Sequence, residues 1–260
     1  MFLIKLGGSI ITKKSQKNTF NPQVMNQLAV ELQSVDEQMV LIHGAGSFGH
    51  ILAKHHHLND GYSNDSQLLG FAQTHALVQQ LNSYVLTSLH EKKIPAVSLS
   101  PHSFLTLDNH RPFSPDVLIF TYYLKHGFTP VTFGDVILDK SLRFSICSGD
   151  LLIQLLAESL NPSKVIFVID EDGIYTDNPK QNPDAQLIES ATIADLKHLT
   201  TSPDDHADVT KGMQGKIETI KHIAALGIDT VLVNGNIHNR LADTLHEKKT
   251  ISTIVYGEHE

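Results

Sequence analysis

The chain has 260 residues, a formal net charge of −8 and a 41% hydrophobic fraction, a composition typical of a soluble globular protein with one large domain or two closely joined lobes. The negative charge, without any basic arm, argues against a nucleic-acid partner, and no apolar run approaches the roughly 20 residues that span a bilayer. Cys147 is the single cysteine, which excludes a disulfide framework, and the first apolar run is too short for a signal peptide, so we expect a cytoplasmic protein without membrane partners.

The first half of the chain alternates short apolar runs with stretches of helical periodicity. The runs predict buried strands, and the periodic stretches predict amphipathic helices. In chain order we expect a strand at 2–6, helices at 21–35 and 47–55 with a strand at 39–42 between them, a long helix at 68–90, strands at 96–99 and 111–114, a helix at 117–122 and a strand at 128–133. Asn21, before Pro22, is the expected cap of the first helix.

The second half continues the alternation. We expect a β-hairpin at 136–138 and 144–146, a helix at 148–159, a strand at 164–169, a loop at 176–184, a helix at 211–226 and strands at 230–233 and 251–256. Ser148 is the expected N-cap of the helix that follows the hairpin, with Asp150 in its first turn. Strands and helices in alternation predict an α/β fold with a mainly parallel sheet covered on both faces.

Two glycine-rich turns follow the first two strands. The first is Lys5-Leu-Gly-Gly-Ser9, and the second is His43-Gly-Ala-Gly-Ser-Phe-Gly-His50. Where a strand passes through glycines into a helix, backbone N–H groups converge on a position suited to phosphate. Two such turns at the ends of successive strands predict a site that holds two phosphorylated groups, as phosphoryl transfer requires.

Three charged or titratable side chains accompany these turns. Lys5 and Lys14 can neutralise charge on a transferred phosphoryl group, although both can also be ordinary surface lysines. His50 lies just inside a helix and can donate a hydrogen bond to a phosphate oxygen; the alternative is a histidine without a role in the second turn. The run 55–57 is a histidine triplet, which we interpret as a solvated face because consecutive helical side chains diverge.

Further candidates lie in the second half. Asp150 can hold two lysine ammonium groups in position, an orienting role distinct from that of a base, or it can simply cap its helix. Asp170 ends a buried strand, where open α/β sheets bind ligands. Gly212 and Lys216, at the start of the helix at 211–226, suit a nucleotide phosphate.

In this order and spacing, the motifs resemble those of the amino acid kinase superfamily, and within it the isopentenyl phosphate kinase family. The resemblance runs from residue 2 to about residue 236 and rests on KLGGSIITKK, HGAGSFGH, Gly134-Asp135, SGD at 148–150 and DVTKGMQGK at 208–216. The closing histidine of HGAGSFGH is its most discriminating feature. The chain departs from the family pattern at Lys211 and Ala45, where glycine is usual, and at Ile169, where Ser or Thr is usual.

The resemblance implies transfer of the ATP γ-phosphoryl group to isopentenyl phosphate, with isopentenyl diphosphate as the product for isoprenoid synthesis. It also implies a three-layer αβα sandwich, usually a homodimer. Residues 1–145 would mainly form the acceptor-binding lobe and residues 146–260 the nucleotide-binding lobe of a single domain. Mg²⁺ would be held by the ATP phosphates, without protein metal ligands.

The resemblance assigns site residues in three groups. The catalytic group comprises Lys5, Lys14, His50 and Asp150. The residues expected around ATP are Gly7, Gly8, Ser9, Gly46, Asp170, Tyr175, Gly212 and Lys216. The acceptor phosphate would contact Ala45, Gly46, His50 and Gly149.

Two other functions remain open from the residues. One is a kinase of the same fold that acts on another small phosphate or phosphonate, such as fosfomycin. The other is a nucleotide-binding regulatory protein without catalysis, which the joint presence of Lys5, Lys14, His50, Asp150 and Lys216 disfavours.

Overall fold

The computed structural model describes residues 1–13, 16–196 and 212–258. Its main feature is an eight-stranded sheet with the strand order β12-β14-β13-β9-β1-β2-β6-β3. The bounds of the strands are β1 Phe2–Leu6, β2 Met39–His43, β3 Ala96–Ser98, β4 Thr106–Asp108, β5 Arg111–Phe113, β6 Thr129–Phe133, β7 Asp135–Asp139, β8 Arg143–Cys147, β9 Lys164–Ile169, β10 Ile174–Tyr175, β11 Leu187–Ile188, β12 Ser190–Ala191, β13 Thr230–Asn234 and β14 Ser252–Val255.

Helices cover both faces of this sheet. Their bounds are α1 Gly8–Ile11, α2 Pro22–Gln33, α3 Gly46–His55, α4 Ser66–Glu91, α5 Leu118–Lys125, α6 Gly149–Leu160, α7 Ile193–Leu196, α8 Gly212–Ala225 and α9 Arg240–Leu245. A short 3₁₀ helix spans Pro101–Ser103. Within the described ranges, no helix is both long and apolar enough to cross a membrane.

The alternation of side chains along β1 explains the three layers. Phe2, Ile4 and Leu6 pack on one face of the sheet with the apolar sides of α2, α4 and α9. Leu3 lies on the opposite face with α5, α6 and α8. Lys5 shares the parity of Leu3, so its side chain points toward the α6 layer. The expected αβα sandwich is confirmed, and a lysine on a central strand faces a helix N-terminus.

The carboxyl ends of the central strands meet at one edge. β1, β2, β6, β9 and β13 all run parallel to one another. Four of them, β1, β2, β6 and β13, continue their hydrogen-bond ladder into a glycine just beyond the strand end. These bonds run from the N–H groups of Gly7, Gly44, Gly134 and Gly235 to the carbonyls of Val168, Leu6, His43 and Ile169. The sheet therefore gathers four tight turns at the edge where open α/β folds bind ligands.

Most expected elements are confirmed, with ends shifted by one to three residues. The Ser148 hydroxyl accepts the Leu151 N–H at 3.0 Å, as an N-cap should. Asn21 occupies the N-cap position of α2, as expected, but its side chain makes no cap bond and its amide instead donates to the Ile10 carbonyl at 3.3 Å. The last strand, β14, pairs antiparallel with β13. The short elements α1, β4, α7, β12 and α9 were not expected, because pieces of two to six residues show no periodicity.

A second sheet, in the order β5-β4-β7-β8, projects from the strand β6 side and contains the expected hairpin. Asp139, at the end of β7, organises its turns. The buried carboxylate accepts hydrogen bonds from the backbone N–H groups of Asn109 and His110 at 2.9 and 2.8 Å. It also accepts hydrogen bonds from the Leu142 N–H at 3.0 Å and from the Ser145 hydroxyl at 2.9 Å. One carboxylate thus joins the β4–β5 turn to the β7–β8 turn.

The ionised form of Asp139 stabilises this sheet. Burial alone raises the pKa of the carboxyl, but the donated hydrogen bonds outweigh it and lower the pKa from 3.8 to about 2. Because the pKa in the folded state lies below that in the unfolded state, the stabilisation is complete above about pH 4 and is lost as the pH falls toward 2.

We predict that Asp139→Asn lowers the free energy of unfolding by about 2 kcal/mol at pH 7. The deficit should shrink as wild-type Asp139 is protonated between about pH 4 and pH 2. Urea unfolding at several pH values measures both effects. Asp36→Asn, at an exposed position in the α2–β2 turn, is the control and should stay within about 0.5 kcal/mol of wild type. A deficit that does not change with pH would contradict the assignment.

Candidate active site

A cavity of about 500 Å³ opens at the carboxyl edge of the main sheet. Its walls come from the ends of β1, β2, β6 and β9 and from the first turns of α3, α6 and α8. The residues expected at the site that line this cavity are Lys5, Gly7, Gly8, Ser9, Ala45, Gly46, His50, Gly149, Asp150, Asp170, Tyr175 and Lys216. Lys14 lies outside the described residues, and Gly212 is described only as the first residue of α8. The structure thus brings together residues from four separate motifs.

The two glycine-rich turns are in direct backbone contact. A Cβ atom on Gly8 would lie 2.5 Å from the Gly46 nitrogen, and one on Gly44 would lie 2.7 Å from the Gly8 nitrogen. Gly46 also has a φ of +49°, a conformation that favours glycine. Only glycines allow the starts of α1 and α3 to approach this closely, so their N–H groups face a common space.

Thr12 holds the two turns together, a role that sequence reasoning missed. Its hydroxyl donates to the Gly8 carbonyl at 2.7 Å and accepts the Ser47 N–H at 3.0 Å. The oxygen therefore links the end of α1 to the first turn of α3. Local patterns gave no signal for this contact, because Thr12 and Ser47 are 35 positions apart.

Asp150 pairs with two lysines at the centre of the cavity. Its Oδ1 atom lies 2.7 Å from the Lys5 Nζ and 3.8 Å from the Lys216 Nζ. All three side chains are largely buried: Lys5 is 8% exposed, Asp150 13% and Lys216 14%. Both ammonium groups also lie near the Phe167 ring, at 5.6 and 5.7 Å from its centroid. The arrangement fixes two positive charges side by side.

The charge on Asp150 is secured by these neighbours. Burial raises the pKa of the carboxyl, but the ammonium groups of Lys216 and Lys5 outweigh that effect and lower the pKa from 3.8 to about 2. The carboxylate remains ionised near neutral pH and cannot take up a proton there. Its contacts with the two lysines suit the orienting role that the sequence suggested in preference to that of a base.

The end of β9 and the following loop form one side of the cavity. The Ser9 hydroxyl donates to Asp170 at 2.9 Å, which links the first glycine-rich turn to this strand end. Lys180 lies 2.6 Å from Glu171 and 4.0 Å from Asp170. Burial, together with Asp172 and Glu171, raises the pKa of the Tyr175 hydroxyl. Lys180 comes from the loop predicted at 176–184 and was not among the expected site residues.

His50 lines the same cavity from the second turn of α3. The apolar side chains that line the cavity include Ala53, Val78, Val136 and Ile146. Ala53, three residues after His50 on α3, packs with Val136 and Ile146. The cavity thus has a polar section lined by glycines and lysines and an apolar section beside His50. This division suits a molecule with an anionic head and a hydrocarbon tail.

His43 plays a different part from His50. It is fully buried, its ring stacks on Phe133 at 5.2 Å, and its Nε2 lies 3.2 Å from the Asn82 amide oxygen. Burial lowers the pKa of its imidazole. Both ring nitrogens have hydrogen-bond partners, so His43 is a structural histidine.

The fold and the arrangement of the cavity define a small-molecule kinase of the α/β class, and comparison with known proteins agrees. Residues 1–234 match the model of the amino acid kinase family, and the chain belongs to that family. An isopentenyl phosphate kinase of Methanothermobacter thermautotrophicus is 35% identical over 100% of both chains. One from Thermoplasma acidophilum is 31% identical over 98% of this chain and 100% of the relative.

Solved structures give the same grouping. A crystal structure of an isopentenyl phosphate kinase superposes with a TM-score of 0.85 at 32% identity and covers 98% of this chain and 99% of that chain. The UMP kinase of Ureaplasma parvum has a TM-score of 0.67 at 14% identity over 98% of this chain and 97% of that one, which indicates a shared fold.

We predict that Gly8→Ala forces the two glycine-rich turns apart. The free energy of unfolding should fall by about 1–3 kcal/mol, and ATP binding measured by calorimetry should weaken by on the order of 10-fold or more. Gly127→Ala is the control: an added methyl there meets no atom within 4 Å, although its φ is +80°. It should cost about 1–2 kcal/mol and leave ATP affinity unchanged. Wild-type affinity in Gly8→Ala would refute the role of the backbone contact.

Proposed function

We propose that the protein transfers the γ-phosphoryl group of ATP to isopentenyl phosphate and yields isopentenyl diphosphate and ADP. One observation carries the proposal: a single cavity combines two touching glycine-rich turns, paired lysines and His50 beside an apolar wall. The similarity of the whole chain to isopentenyl phosphate kinases supports the same acceptor.

The two halves of the chain suit the two substrates. Strands from residues 1–145 and strands from residues 146–260 meet at the β1–β9 pair within one sheet. Ala45 and His50 come from the first half, and Asp170, Tyr175 and Lys216 come from the second. The acceptor therefore binds beside α3, and ATP binds near the end of β9 and the start of α8. Gly212, as the first residue of α8, would approach the nucleotide phosphates.

The acceptor phosphate binds between His50 and the start of α3. His50 donates a hydrogen bond to a phosphate oxygen, and the backbone at Ala45, Gly46 and Gly149 surrounds the remaining oxygens. The isoprenoid tail occupies the apolar section that Val78 helps to line. Head and tail together orient the acceptor toward the nucleotide.

The transfer needs no base. An oxygen of the acceptor phosphate, already an anion, forms a bond to the γ-phosphorus, and the bond from that phosphorus to the β–γ bridging oxygen breaks. The electron pair leaves with ADP. Lys5 stabilises the charge that spreads onto the transferred group, and Asp150 holds Lys5 and Lys216 in place. The sequence motif assigns the same stabilising role to Lys14.

The residues fit a Mg²⁺ ion that is carried by ATP. Among the described residues at the polar end of the cavity, Asp150 is engaged by two lysines and Asp170 by Ser9. Because both carboxylates already have these side-chain partners, the nucleotide phosphates are the more suitable ligands for the ion. Mg²⁺ bound to the nucleotide phosphates would supply neutralising charge.

The family resemblance also implies a homodimer. Leu118 and Tyr122, on one side of α5, are 61% and 60% exposed. Apolar side chains of this kind are commonly buried between subunits. We place a candidate subunit interface on α5.

The other functions are less well supported. Fosfomycin and isopentenyl phosphate share an anionic head, but the full-length relatives are isopentenyl phosphate kinases. A regulatory protein without catalysis does not need two lysines fixed by a buried carboxylate. We therefore retain the isopentenyl phosphate kinase activity.

We predict that the purified protein, with ATP and Mg²⁺, converts isopentenyl phosphate to the diphosphate. His50→Ala should lower kcat/KM for the acceptor by about 10- to 100-fold, because it removes a hydrogen bond to a charged group. Product formation can be followed by phosphorus NMR. His55→Ala, an exposed position on the same helix, should match wild type. Fosfomycin, assayed in parallel, should have a much lower kcat/KM. Full activity in His50→Ala would remove His50 from the mechanism.

A further inference from the structure

Two histidines and one aspartate form a cluster beside the acceptor end of the cavity. The Nδ1 of His75, on α4, lies 2.7 Å from the Oδ2 of Asp135, at the start of β7. The Nε2 of His102, in the 3₁₀ helix, lies 3.5 Å from the same oxygen. The three ligand atoms are all within 4.8 Å of one another. Three elements far apart in the chain therefore direct nitrogen and oxygen donors to one point.

The transfer described above uses none of these donor atoms. The Asp135 carboxylate is completely buried, whereas the His75 and His102 side chains are 27% and 30% exposed. The two imidazole rings are only 4.3 Å apart between centroids. One buried carboxylate oxygen facing two imidazoles, open to solvent on the histidine side, is a donor set with room for a cation.

We propose that His75, His102 and Asp135 form a binding site for a divalent transition metal ion, with Zn²⁺ as the preferred type. The ligand atoms are His75 Nδ1, His102 Nε2 and Asp135 Oδ2. Two imidazoles and one carboxylate suit Zn²⁺ and similar ions, whereas Mg²⁺ prefers oxygen ligands. A water molecule would complete a tetrahedron on the exposed side. This site is separate from the Mg²⁺ that ATP carries.

The distances are close to those that metal binding requires. With bonds of about 2.0–2.1 Å, the ligand atoms of a tetrahedral ion are about 3.3 Å apart. The separation of 3.5 Å already fits, and the 2.7 Å contact only has to lengthen as the ion replaces the proton between His75 and Asp135. The third distance, between His75 Nδ1 and His102 Nε2, is at most 4.8 Å. It shortens when His102, in a half-exposed 3₁₀ turn, moves toward the ion.

Neighbouring groups already orient the ligands. The Val136 N–H donates to Asp135 Oδ1 at 2.8 Å, which leaves Oδ2 for the ion. The Gln79 amide faces the other ring nitrogen of His75 at 2.9 Å. With a metal on Nδ1, the Nε2 of His75 carries its proton, and a half-turn of the Gln79 amide presents the oxygen that accepts it. Such outer hydrogen bonds are typical of histidine metal ligands.

The site can be tested by titration of the full-length protein with Co²⁺, whose absorption reports coordination, followed by displacement with Zn²⁺. The titration is done without nucleotide, so that ATP does not compete for the ion. We expect one ion per chain. His102→Gln and His75→Asn should each weaken binding by at least about 10- to 100-fold. His75→Asn retains a donor for the bond to Asp135, and His102 is exposed, so both variants should keep wild-type thermal stability in the absence of metal.

The histidine run 55–57 is the competing site on this chain, and a His55→Ala, His57→Ala double variant controls for it. The double variant should bind Co²⁺ as wild type does. The proposal would be overturned if both His102→Gln and His75→Asn bound the ion with wild-type affinity. It would also be overturned if only the double variant lost binding, or if the wild-type protein bound no ion. The titration measures metal binding and not phosphoryl transfer, so it tests the metal site whether or not the kinase assay detects activity.

Discussion

The site depends on one buried interaction, the contact of Asp150 with Lys5 and Lys216. Two ammonium groups held close together repel each other, and removing them from water is costly. The carboxylate between them, at 2.7 and 3.8 Å from the two nitrogens, offsets both effects. Without it, two positive charges could not remain side by side in an enclosed cavity. Phosphoryl transfer needs charge of this sign already in place before the reaction begins.

This interaction follows from the sheet. Because side chains alternate along β1, Lys5 points to the α6 face while its neighbours build the opposite core. The first turn of α6, which follows β8, packs against β1 and brings Asp150 to Lys5. Gly149, which precedes Asp150, has the Lys5 Cε only 3.0 Å from where a Cβ would lie. Strand parity, the packing of α6 against β1 and a small residue together produce the pair.

Much of the fold could be predicted from the sequence, because buried strands and amphipathic helices leave local patterns. The glycine-rich turns and the Ser148 cap could also be read, since each depends on adjacent residues. Thr12 could not, because its hydroxyl joins turns 35 positions apart. The same holds for His75 and Asp135, which are 60 positions apart. Such contacts are set by tertiary packing, and no local spacing of residues predicts them. At Asn21 the local signal gave the N-cap position, but a contact with Ile10 replaces the expected cap bond.

The most direct test of the account is the turnover of Asp150→Asn at saturating ATP and isopentenyl phosphate. The amide keeps the shape of the side chain but removes the charge that orients the lysines. We predict that kcat falls by about 100-fold or more, while KM for isopentenyl phosphate changes much less, because the acceptor site that we propose at His50 and the start of α3 is unaltered. A variant that turns over at the wild-type rate would show that the lysines do not need their carboxylate, and the proposed origin of catalysis would be wrong.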